Sequence, residues 1–117
     1  MKNAKTEDRV GAVLYVMAKN YGTWFTANAI ASSQGVSKRR ANEVLWRAGE
    51  TGFIERRAAY KPNGVQVFEY ALDSRKTLYT ETIIETYRDE YRRVRLLARE
   101  RKMEKFVAQI ESEIGGI

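Results

Sequence analysis

The sequence has no cysteine, no histidine and one proline, Pro62. Without cysteine there is no disulfide, and the redox compartment is left open. Without either residue, Cys/His metal sites, Ser-His-Asp triads and Cys-His pairs cannot be assembled. No paired Asp/Glu motif and no glycine-rich phosphate loop stands out. The expectation is therefore a protein that is not an enzyme and uses no cofactor and no metal. No apolar run reaches the roughly 18 residues that a membrane span needs, and "MKNAKTEDRV" is not a signal-peptide pattern, so a soluble, non-secreted, cytoplasmic protein is expected.

Positive charge is what the chain has in excess. It carries 21 Lys and Arg against 15 Asp and Glu, a formal net charge of +6 over 117 residues. With 44% hydrophobic residues it can form one domain with a modest core plus an appendage. A basic excess favours an anionic partner, nucleic acid before a membrane surface, although many small proteins carry such charge and bind neither. Placement therefore matters more than total. Residues 31–61 hold seven Lys/Arg against three Asp/Glu, which supplies four of the six net charges.

Hydrophobic spacing predicts three helices. Val10, Val13, Leu14 and Met17 form one apolar stripe, with Thr6 as N-cap, Glu7 and Asp8 in the first turn and Gly22 as the stop. Gly11 within it is tolerated at some loss of stability. A short β-prone "TWFT" follows, and Thr26 caps a second helix whose Ala27, Ile30 and Ala31 face inward, ended by Gln34-Gly35. Ser37 caps a third helix, Lys38 to about Thr51, closed by Gly52, whose buried stripe is Ala41, Val44, Leu45 and Ala48. Residues 53–72 then read as a hairpin about Lys61-Pro62-Asn63-Gly64, with Phe68, Tyr70 and Leu72 alternating on one face. From Asp73 or Ser74 to about Glu113 the chain reads as helix, and could reach roughly 60 Å if unbroken.

Helix, short strand, helix, turn, helix and hairpin is the order of a winged helix-turn-helix. The residues that carry the likeness are Val36-Ser37, "ANEVLWRA" from Ala41 to Ala48, and above all "GFIERR" from Gly52 to Arg57. This passage resembles the apolar-x-x-x-Gly-Leu-Ile-x-Arg stretch of small MarR- and PadR-like regulators, with Phe53 in place of Leu. The resemblance covers about residues 6–72. It implies a mainly α fold with a small β-hairpin (α+β), a DNA-binding domain over 1–73 and a C-terminal helical oligomerisation segment over 74–117.

The resemblance also assigns the third helix to the DNA major groove and the hairpin to the wing. On a helical wheel Arg39, Asn42, Glu43 and Trp46 point away from the buried stripe, and Lys38, Arg40 and Arg47 flank them. Three cations in the first turn oppose the helix dipole by a few tenths of a kcal/mol, which makes sense if they lie beside phosphates. Arg39 suits guanine, Asn42 adenine and Glu43 cytosine, while Ser37 can touch phosphate. Glu43 can instead pair with Arg39 or Arg47, and Trp46 is expected to lie against the wing or the first helix. The wing adds Arg56, Arg57, Tyr60, Lys61 and Asn63 for backbone or minor-groove contact. The alternative is a solvated basic turn, with Arg and Lys on the hairpin serving to block edge-to-edge aggregation.

Two seams mark the C-terminal helix. Ile84, Tyr87, Tyr91, Val94 and Ala98 follow coiled-coil-like spacing; Met103, Val107, Ile110 and Ile114, helped by Phe106, form a second seam roughly 160° round from the first. Either the helix breaks near 98–102 or it shows two faces to two partners. A second copy of the chain is the expected partner, although the first seam could pack on the domain's own first helix. Asp89 and Glu90 are expected to pair with Arg93 in a solvated face. The sequence thus predicts a nucleoid-associated homodimeric regulator of double-stranded DNA. The rivals are an architectural, replication or partition factor that oligomerises along DNA, and a winged-helix adaptor between proteins.

Overall fold

A computed structural model describes residues 5–115; the side chains at 77, 104–106 and 114–115 lie outside the described residues, and with them the interface candidates Phe106 and Ile114. The elements in order are α1 (Thr6–Lys19), β1 (Phe25–Thr26), α2 (Ala27–Gln34), α3 (Lys38–Gly49), β2 (Ile54–Tyr60), β3 (Gln66–Leu72), a 3-10 segment (Ser74–Tyr79) and α4 (Thr80–Gly115). β3 lies between β1 and β2, antiparallel to both.

The start of α1 differs from the expected cap. Lys5 occupies that position, and its backbone N–H donates to the Asp8 carboxylate at 3.3 Å. The Thr6 hydroxyl is taken by another partner, Arg40 of α3, whose Nη2 donates to it at 3.0 Å. At the other end Asn20 closes the helix, donating through its side chain to the Val16 carbonyl at 2.8 Å. Thr26 and Ser37 cap α2 and α3 as expected, each accepting from the N–H three residues on.

Val10, Val13, Leu14 and Met17 pack with Ile30, Ala41, Val44, Leu45, Ala48 and Leu72 in the main core. The opposite face of α1 is buried too. Gly11 sits beneath the Tyr87 ring, Ala12 packs with Val94, and Tyr15 stacks on Tyr91 with centroids 4.6 Å apart. Small residues on that face allow α4 to approach closely. Ile83 of α4 joins the main core, which therefore draws on residues from both sides of position 73.

α4 runs unbroken through residues 98–102. At 1.5 Å per residue its length of 36 residues approaches the molecule's longest dimension, 59 Å. The expected coiled-coil seam is an intramolecular contact: Val94 and Ala98 are buried within the single chain, and Ile84, Tyr87 and Tyr91 are partly buried against it. Val94 and Ala98 are therefore core positions of the single chain, not free to form an interface, and Ile84, Tyr87 and Tyr91 pack against the core with part of their surface still open. Arg93 pairs across the same contact with Asp8 of α1, and Asp89 approaches Arg92 instead. Met103, Val107 and Ile110 remain exposed.

The hairpin closes as the turn residues predict. The Gly64 N–H donates to the Lys61 carbonyl at 2.9 Å, and Gly64 takes φ +84°. The Phe68, Tyr70, Leu72 face is graded rather than uniformly buried. Leu72 is buried, Tyr70 partly so and Phe68 exposed, because β3 leaves the core as it approaches the tip.

Candidate nucleic-acid interface

α3 buries Ala41, Val44, Leu45 and Ala48 and turns its other side outward. The three cations of its first turn have unlike environments. The Arg39 side chain is 91% exposed, with Nε 3.9 Å from Glu43. Lys38 is also exposed. Arg40 is half-buried and bridges α3 to α1: it donates to Glu43 at 3.1 Å as well as to Thr6. One of the three cations is thus an internal tie, and two face solvent. The Ser37 hydroxyl is committed to the Arg40 N–H at 3.1 Å, so its principal role is the cap.

Asn42 lies where two clefts meet. One, of about 320 Å³, separates α3 from the wing and is lined by Asn28, Lys38, Asn42, Lys61 and Phe68 among others. The other, of about 500 Å³, runs between α3 and β2 and includes Asn42, Trp46, Ile54 and Arg56. Trp46 is 70% exposed, which corrects the expectation that it lies against the wing or α1. A tryptophan this open on an amphipathic helix presents a flat face to whatever docks there.

Strand alternation divides the wing arginines. Arg56 lies opposite Tyr70 and lines the cleft with α3, its guanidinium 4.4 Å from the Phe68 ring centre. Arg57, one residue on, faces the other side of the sheet, as period-two geometry requires. There it donates to Glu69 at 2.9 Å and lies 4.0 Å over the Trp24 ring. Arg57 thus stands on the sheet face away from the α3 cleft, half-exposed beside Glu69 and Trp24. Arg47, half-exposed, pairs with Glu50 at 2.9 Å and approaches Glu7 at 4.0 Å. Glu43 pairs with Arg40 and approaches Arg39, not Arg47. Asn63 accepts the Val65 N–H at 3.1 Å inside the turn, whereas Tyr60 and Lys61 are exposed at its rim.

Periodicity did not reveal a buried arginine. Arg9 is 2% exposed and donates to the Gln34 carbonyl at 3.3 Å, joining α1 to the C-terminal end of α2. Burial, with Arg101 and Arg40 nearby, lowers its pKa from the usual arginine value. The negative end of the α2 dipole offers partial compensation for the charge. It follows Glu7 and Asp8 in the first turn of α1, where charged side chains ordinarily face solvent, so its sequence context carries no sign of burial.

Among the described residues no group of three or more carboxylates is placed to hold a metal ion. No described helix is long and apolar enough to cross a membrane. The outward α3 face and adjoining wing cleft instead form an open surface carrying Lys38, Arg39, Arg56 and Lys61.

No protein-family model matches the sequence, and no curated protein matches it. Solved structures do match the fold. The chain is similar to the apo form of a double mutant of Lactococcus lactis ZitR, with a TM-score of 0.53 and 15% identity, over 93% of this chain and 83% of that one. A single mutant of ZitR matches with a TM-score of 0.50 and 16% identity, over 97% and 79% of the two chains. At this identity the likeness is one of fold, and it does not extend to membership of the MarR or PadR families. The chain folds as a winged helix-turn-helix, mainly helical, with a small three-stranded antiparallel sheet and a long C-terminal helix.

Proposed function

We propose that this protein binds double-stranded DNA sequence-specifically as a homodimer and acts as a transcriptional regulator. α3 enters the major groove and the β2–β3 hairpin serves as wing. The observation that carries this reading is the open face of α3, where Lys38 and Asn42 share clefts with Lys61 and Arg56 of the wing and Arg39 projects into solvent. Arg39, 91% exposed and only loosely paired with Glu43, can form a bidentate contact with guanine, and Asn42 one with adenine. Lys38 and Lys61 suit phosphates, which set register and affinity without reading sequence.

The distal part of α4 supports self-association. Met103, Val107 and Ile110 are exposed along one stripe, whereas the first seam is spent inside the chain. One self-complementary stripe suits a closed two-fold pair, which would present two recognition helices to a palindromic site. Spreading along DNA through two unlike seams loses the seam it needs. The adaptor reading leaves the cationic surface without a role.

A mobility-shift titration on duplexes selected from a genomic library tests the proposal. Arg39→Ala should relax specificity at one base position by about 1–3 kcal/mol. Lys61→Ala should weaken all sequences alike and reduce the salt slope by about 1. Binding untouched by both substitutions would place any interface elsewhere and overturn the α3–wing assignment.

A further inference from the structure

A second cationic surface lies outside the α3–wing cleft. Arg95, Arg99 and Lys102 recur at four and three residues along α4, and with Ser32 and Gly35 they line a depression of about 240 Å³ where α4 crosses the end of α2. Its floor is rigid. Gly35 has φ +65°, and a Cβ there would stand 2.5 Å from that of Ala98, so turn and helix are in close contact. Arg95 is anchored by donating to the Ser33 carbonyl at 2.8 Å.

Arg99 and Lys102 are exposed, and among the described residues no carboxylate forms an ion pair with either or with Arg95. Like charges three and four residues apart on a helix repel. Neighbouring Arg92 and Arg93 have Asp89 and Asp8 beside them, so the deficit of acid is local to this stripe. Such a cluster is suited to an anion from outside the chain.

The exposed side of α2 connects this surface to the first. Asn28 lines the α3–wing cleft and Ser32, one helical turn on, lines the α4 depression. We infer that the α2–α4 depression binds a backbone phosphodiester of the duplex whose groove α3 reads, with Arg99 and Lys102 as the contacting cations. The inference rests on the DNA reading and extends it. α4 then contributes to DNA affinity directly, while specificity stays with α3.

The test is the salt dependence of binding to a duplex of about 30 base pairs, for the full chain and for Arg99→Gln/Lys102→Gln. The double variant should retain the wild-type melting temperature, because both side chains are exposed, and the wild-type base preference. Its plot of log K against log salt should be shallower by about 2, so that the wild type loses roughly tenfold more affinity than the variant between about 50 and 200 mM salt. Arg99→Glu should weaken binding further. Wild-type binding with an unchanged slope in both variants overturns the inference and leaves the α3 reading intact. So does a double variant that keeps its DNA slope but loses binding to phosphatidylglycerol vesicles or to inorganic phosphate. A wild-type chain with no affinity for duplex DNA defeats the DNA reading and this inference together.

Discussion

Gly11 of α1 lies directly under the ring of Tyr87 in α4: a Cβ at Gly11 would stand 2.6 Å from Tyr87 Cδ1. Helix propensity alone favours alanine at this position by about 1 kcal/mol. Overpacking against a confined ring opposes it by about 1–3 kcal/mol. Gly11→Ala is therefore expected to lower stability, and Gly11→Ala in a Tyr87→Leu background to lose less. Urea unfolding of the four chains in a double-mutant cycle measures the coupling, and additive effects would contradict the contact.

The cations of the α3 first turn should separate by role. Arg40 ties α3 to Thr6 and Glu43, so Arg40→Ala should reduce stability by about 0.5–1.5 kcal/mol. Arg39→Ala should stay within about 0.5 kcal/mol of wild type in the free protein, since its side chain is almost wholly exposed. Thermal melts without DNA check both, and equal losses would mean that the distinction is wrong.

Asp73 should make folding acid-sensitive. Its side chain accepts two hydrogen bonds from the Arg75 guanidinium and one from the Arg75 N–H, and these hold its carboxyl at about 2. A folded pKa below the unfolded value contributes stability that is complete above about pH 4 and is lost as pH falls towards 2. Arg75 is largely exposed, so salt should weaken the effect. Asp73→Asn should flatten the stability profile between about pH 4 and 2, while the slope above that range stays unchanged.

Oligomerisation should depend on the distal stripe of α4 and not on its first seam. Val107→Asp/Ile110→Asp is expected to give a folded monomer, because both residues are exposed in the single chain. Val94→Asp is expected to unfold it, because Val94 is fully buried and an unpaired buried charge is strongly destabilising. Light scattering and circular dichroism distinguish the two. A dimer that survives the distal substitutions would locate the interface elsewhere.

Apolar spacing sufficed wherever a helix buries one large-residue stripe. Ala41, Val44, Leu45 and Ala48 are buried as their periodicity predicts, as are Val10, Val13, Leu14 and Met17. It failed on the second face of α1, because glycine and alanine contribute little hydrophobic signal while permitting the closest approach. It also left open whether α4 pairs with itself or with α1, since Val94 and Ala98 would show the same spacing in either case. At the candidate site the outward residues of α3 were legible from the wheel. The Arg40–Thr6, Arg47–Glu7 and Arg57–Glu69 engagements were not, because they join residues of different elements, whereas Arg40–Glu43 and Arg47–Glu50 are local pairs three residues apart. The different facing of Arg56 and Arg57 was implicit in strand geometry.

α4 touches the α2–α3 turn at Gly35 and continues well past it as an unbroken rod. Its contact point thus adjoins the first turn of α3, so the rod has the form of a lever pivoting there. If the proposed pairing and DNA reading hold, a tilt of the rod at its far end would displace the start of α3, and the rod's length would fix the spacing of two α3 helices.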